Sequence, residues 1–115
     1  MNFEKEIKDD IIIEKVNLKR ATYKEAGEFS NFIQSDIKAG WNKIIIDMKY
    51  CEFMDSSFLG VLVNSLKQVE KSKGNLKLAS VHDDAQSILD ITRMSDLFNI
   101  YPDKEEAIKS FQSAV

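Results

Sequence analysis

The chain has 115 residues, 43% of them hydrophobic and 30% charged, with a formal net charge of −3. That length suits one domain with an ordinary core, so 1–115 is expected to fold as a single unit. The composition is that of a soluble globular chain, neither disordered nor membranous. The acidic balance, spread along the chain without a basic block, excludes a protein that tracks a nucleic-acid backbone.

Phe3 to Lys8 reads as a weak strand, and Ile11 to Val16, rich in β-branched residues, as a firmer one. Thr22 and Glu25 fit a capping box that opens a helix carrying Ala26, Phe29, Phe32, Ile33 and Ile37, with Gly40 as its stop. Lys43 to Met48 is a short, almost wholly apolar strand of the kind covered on both faces. A second helix is expected from Ser56 to Lys71, with Leu59, Leu62, Val63, Leu66 and Val69 inward. Gly74-Asn75 turns out of it into a strand around Leu76 and Leu78. Asp83 or Asp84 then caps a third helix with Ala85, Ile88, Leu89 and Ile91 inward. Leu97 to Tyr101 forms a last strand, and Pro102-Asp103 starts a final helix through Phe111. The order β(β)αβαβαβα implies an α/β fold with a mixed sheet of four to five strands and about four helices. Its core is expected from Ile44, Ile46, Leu62, Leu66, Leu78, Ile88 and Phe98.

The apolar runs Ile11-Ile12-Ile13 and Ile44-Ile45-Ile46 are far too short to cross a bilayer. The charged start Met1-Asn2-Phe3-Glu4-Lys5-Glu6 lacks the apolar stretch of a signal peptide, so no membrane attachment and a cytoplasmic location are the expectations. Cys51 and His82 are single residues of their kinds. They allow no internal disulfide and no conventional zinc site, and neither a metal nor a cofactor is expected.

Asp55-Ser56-Ser57-Phe58-Leu59-Gly60 joins the apolar strand to the second helix. It places two hydroxyls on a helix's first turn, where backbone N–H groups are unpaired and added negative charge is favoured. On a helical wheel centred on the expected apolar stripe, Ser57 points to solvent and Ser56 falls on the partly covered flank. Asp55 is placed to cap, accepting from the N–H of residue 57 or 58. Gly60, Val61, Asn64 and Gln68 form a small, weakly polar outer strip suited to a partner. Ser57 is thus the foremost phosphate acceptor and Ser56 the lesser one. Taken alone, such a turn is most often only an N-cap.

The stretch Ile44-Ile45-Ile46-Asp47 followed by Phe53-Met54-Asp55-Ser56-Ser57-Phe58-Leu59-Gly60-Val61-Leu62 resembles the signature of STAS domains, and specifically of bacterial anti-sigma factor antagonists. The likeness continues through Gly74-Asn75-Leu76-Lys77-Leu78 and Ile91-Thr92-Arg93-Met94-Ser95-Asp96-Leu97-Phe98. It implies a STAS-like fold without catalytic activity and a phosphate acceptor at Ser57. The implied partners are a serine kinase that is also the anti-sigma factor, which binds the unphosphorylated domain, and a serine phosphatase that resets it. Phe58, Gly60, Val61 and Asn64 are expected on the docking surface, with Asp55 shaping the turn. Phe58 and Arg93 stand where the family often has Gly, and Lys19 where many members carry an acid.

A rival reading is a scaffold or sensor subunit that uses the same surface without phosphorylation. A Ser57, His82 and Asp83 hydrolase triad lacks the Gly-x-Ser-x-Gly elbow. Cys51 adjoins no cationic activator in sequence and reads as a buried, inert thiol. Asp47, Asp55 and Asp83 or Asp84 resemble a receiver pocket, without the lysine such a pocket needs.

Overall fold

Two apolar triplets set the centre of the molecule. The structure, a computed structural model, describes residues 1–112; 113–115, the end of the expected 1–115 unit, lie outside the described residues. In chain order the elements are β1 (Phe3–Lys8), β2 (Ile11–Val16), β3 (Arg20–Ala21), α1 (Tyr23–Lys38), β4 (Lys43–Asp47), β5 (Phe53–Met54), α2 (Ser56–Lys71), β6 (Asn75–Ala79), α3 (Asp83–Ile91), β7 (Ile100–Tyr101) and α4 (Lys104–Gln112). The main sheet runs β1-β2-β4-β6-β7. β1 is antiparallel to β2, and every other pairing in that sheet is parallel. This is the mixed α/β architecture the sequence order implies.

β4 is central, and both its faces are buried. Ile44 and Ile46 join the core under α1, α2 and α3, while Ile45 joins a smaller core under α4. The alternation follows from the two-residue period of a strand. Parallel register sets Ile44 beside Ile12 and Leu76, and Ile46 beside Glu14 and Leu78. Between α1 and α2, Phe29 and Phe58 stack at 4.5 Å with Phe3 at 5.0 Å from Phe29, so three elements meet in one aromatic cluster. Gly74 lets the turn after α2 approach β4: its backbone lies so near the Asn42 carbonyl that a Cβ there would overlap it. The same approach carries the hydrogen bond from the Asn75 N–H to the Asn42 oxygen, 2.9 Å.

Several local expectations change. β3 and β5 are two residues each, too short for a periodic signal, and they pair with one another in a second, parallel sheet. The buried face of α2 is rotated toward Phe58 and Ser65, because α1 as well as the sheet covers it. Val63 is therefore only half-buried. The cap of α3 is His82, whose side chain makes no capping bond; Asp83 and Asp84 lie inside the first turn. Ile91 ends α3 facing outward, 78% exposed, and Ile88 is half-buried. The last strand is only Ile100–Tyr101. Asp103 caps α4 by accepting from the Glu106 N–H at 2.8 Å, which starts that helix at Lys104.

Candidate functional site

The N-termini of α1 and α2 are laid side by side by the chain segments that precede them. Arg20 pairs with Phe53 and Ala21 with Met54. The Lys19 carbonyl accepts from Glu52 N–H at 2.9 Å, and the Ala21 carbonyl accepts from Asp55 N–H at 3.1 Å. A helix start leaves unpaired N–H groups, and here one carboxylate serves two of them. Asp55 Oδ1 accepts from Phe58 N–H at 3.0 Å, and Oδ2 accepts from Tyr23 N–H at 2.9 Å. The first bond caps α2 as the sequence predicts. The second reaches the opening residue of α1 and has no signature in the local sequence.

α1 keeps its own cap as well. The Thr22 hydroxyl accepts from Lys24 N–H at 3.3 Å, and Glu25 Oε1 accepts from Thr22 N–H at 3.0 Å. Both acidic side chains at this pole are thus engaged by backbone donors. Arg20 and Lys24 stand exposed in the same place, with no ion pair among the described residues. The Arg20 guanidinium lies 4.4 Å from the centroid of the Phe53 ring. These cations, with Tyr23 (67% exposed), Phe53 and Asp55, line an open groove of about 530 Å³. An exposed ring beside free cations and two helix N-termini makes this pole receptive to acidic groups.

Ser57 is exposed on the first turn of α2, as the wheel predicts. Ser56 is also exposed, contrary to the expected partial cover. Asp55 is half-buried. Asn64 is exposed, while Gly60 and Val61 are half-buried, Val61 packing against the core edge. Phe58 is the correction: it is fully buried in the stack with Phe29 and cannot form part of a docking surface. The rotation of the buried stripe toward α1 accounts for it. The residues that sequence reasoning missed at this pole are Arg20, Tyr23 and Phe53. The Thr22–Glu25 box marked the start of α1, but no local signal said which helix end lay next to it.

The rival constellations do not assemble. His82 Nε2 lies 2.5 Å from the Lys49 carbonyl oxygen, and no hydrogen bond links His82 to Ser57 among the described residues. Cys51 is buried, its thiol donates to the Phe53 carbonyl at 3.3 Å, and burial pushes it up to about 11. Among the described residues no cluster of three or more His, Cys, Asp or Glu side chains is placed to hold a metal ion, and no helix is long and apolar enough to cross a membrane.

The STAS domain model matches residues 2–107. A Thermotoga maritima protein provisionally named an anti-sigma factor antagonist is 30% identical over 111 residues, 93% of this chain and 95% of its own. The crystal structure of TM1081 from Thermotoga maritima superposes with a TM-score of 0.88 at 29% identity, covering 94% of this chain and 92% of that one. The anti-sigma-B factor antagonist of Bacillus subtilis is 34% identical over 64 residues, 56% of this chain and 59% of its own. This chain belongs to the STAS domain family, among the anti-sigma factor antagonists.

Proposed function

We propose that this domain is a phosphorylation-switched antagonist. Unphosphorylated, it holds a serine-kinase-type anti-sigma factor; phosphate on Ser57 releases it, and a serine phosphatase restores the binding form. The observation that carries the reading is the exposed Ser57 hydroxyl on the opening turn of a long, well-anchored helix. Phosphate there adds about −1.5 to −2 charges at neutral pH. The helix dipole offsets part of the local repulsion from Asp55, typically by 0.3–1 kcal/mol, so the fold tolerates the charge. A docked acidic or apolar partner does not. Asp55 shapes the turn, and Gly60, Val61 and Asn64 extend the contact strip along α2. The domain itself is non-catalytic and acts in the cytoplasm.

Incubation with ATP and a cognate kinase-type regulator, followed by phosphosite mapping, is expected to label Ser57, and Ser57→Ala to abolish the label. Phosphate on neither serine would defeat the switch. A Ser57→Asp variant that still bound the regulator at wild-type affinity would favour the scaffold reading, in which the exposed cation Lys19, where many members carry an acid, sets the partner and phosphate does not.

A further inference from the structure

Where α1 packs on the sheet, two carboxyl groups, Glu14 of β2 and Asp36 of α1, are buried on either side of one cation-bearing strand residue, Lys5, the ladder partner of Glu14 and ion-pair partner of Asp36. Glu14 is 0% exposed, and neither of its carboxyl oxygens has a hydrogen-bond partner among the described residues. Strand alternation puts it on the same face as Ile12 and Val16, under the helices. Its ladder neighbours are Lys5 on β1 and Ile46 on β4. The buried residues of α1 are Phe29, Ile33 and Asp36, so Asp36 is the one ionisable group that helix contributes. α2 contributes no ionisable group to the core; its one buried polar residue is Ser65, whose hydroxyl is also unpartnered.

The cation is already committed. Lys5 Nζ donates to Asp36 Oδ1 at 2.5 Å and to the Ser35 hydroxyl at 3.4 Å, and it lies 4.7 Å from the Phe32 ring centroid. An ionised carboxylate sealed in an apolar core with no donor is strongly disfavoured, and such a group keeps its proton instead. The one ammonium is paired with Asp36, which leaves Glu14 without a counter-charge among the described residues. We propose that Glu14 stays protonated at neutral pH and makes the β1–β2–α1 corner a pH-sensitive latch, closed while the proton is held and loosened when it is lost. Loss of the proton leaves two relaxations: Lys5 swings across the ladder from Asp36 to Glu14, or water enters beneath α1. Either frees the Asp36 end of α1, whose other end is tied through the Tyr23 N–H to Asp55.

The sign follows from linkage. Unfolded, a glutamate ionises near pH ~4.3; folded, Glu14 ionises higher. Its penalty is absent below that pH and grows above it, lowering the folding equilibrium constant by up to about tenfold per pH unit until the folded value is passed. Glu14→Gln keeps the shape of the neutral acid and cannot ionise; Glu14→Leu is the second variant should the amide disturb packing. Urea unfolding of the three proteins from about pH 5 to 9 isolates the effect as a ratio of folding constants. The wild-type constant is expected to fall against either variant by about tenfold per pH unit over part of this range. At pH 7 the infrared spectrum of the wild type should show one protonated carboxylic acid band among its 19 carboxyl side chains, absent in Glu14→Gln. A ratio independent of pH, or a neutral-pH spectrum without that band, overturns the proposal.

Discussion

The two faces of the sheet are built to different depths. Among the described residues, the face under α1, α2 and α3 gathers 21 buried apolar residues into one cluster, and the face under α4 gathers five. On the deep side, three Phe rings from β1, α1 and α2 pack in one cluster and tie the three elements together. On the shallow side, a lysine occupies the interior. Lys77 is 7% exposed, donates to the Ser110 hydroxyl at 2.7 Å, and lies 4.1 Å and 5.4 Å from the centroids of Phe111 and Tyr101. The contrast teaches that the face which positions the Ser57 turn carries the bulk of the hydrophobic stabilisation, while the other closes the sheet with a short amphipathic helix whose rings accommodate a cation.

The sharpest way to break this comparison is Phe58→Ala. It removes the ring that joins α2 to α1 and is expected to cost about 3–5 kcal/mol in urea unfolding; a loss near zero would mean the aromatic cluster does not hold the deep face together. Next is Asp55→Ala, which strips an acceptor from both helix starts. The expected loss is about 1–2 kcal/mol, the upper part of the capping range, with faster amide exchange at Tyr23 and Phe58 together. Exchange that rises only at Phe58 would show that the bridge to α1 contributes nothing. On the shallow face, Ile45→Val should cost about 0.5–1.5 kcal/mol. A loss as large as that of Phe58→Ala would erase the distinction between the faces. The smallest effect has the opposite sign. A Cβ at Gly60 meets nothing within 4 Å, so Gly60→Ala should stabilise α2 by roughly 0.5–1 kcal/mol. If it also weakens partner binding, the bare backbone at that position belongs to the contact strip.

Periodicity carries most of the deep face. Ile44, Ile46, Leu62, Leu66 and Leu78 all lie where their spacing puts them, and Thr22 with Glu25 marks the start of α1 to the residue. What the spacing does not hold is everything that depends on a second element. Phe58 lies on the margin of the α2 stripe when only the sheet is considered, and only the arrival of Phe29 from α1 turns it inward. The β3–β5 pair is two residues long on each side, below any periodic signal, yet it brings Asp55 within reach of Tyr23. Ser57 was legible because exposure opposite a strong apolar stripe is a property of one helix. The groove beside it was not, because Arg20, Tyr23 and Phe53 come from three separate segments. No signal in the Ile11–Val16 run marks Glu14 as buried. Its interior position depends on the helices that pack over that face of β2.

β1 forms one rim of the sheet and β7, only two residues long, the other. Four of the six residues of β1 are charged, and two of those side chains are anchored to other elements, Lys5 to Asp36 and Glu6 to Lys104. A neighbouring strand that tried to add itself here would have to strip these ions of water and partners, and on the far rim it would find almost no backbone to grip. Growth by strand addition is thus closed at both borders.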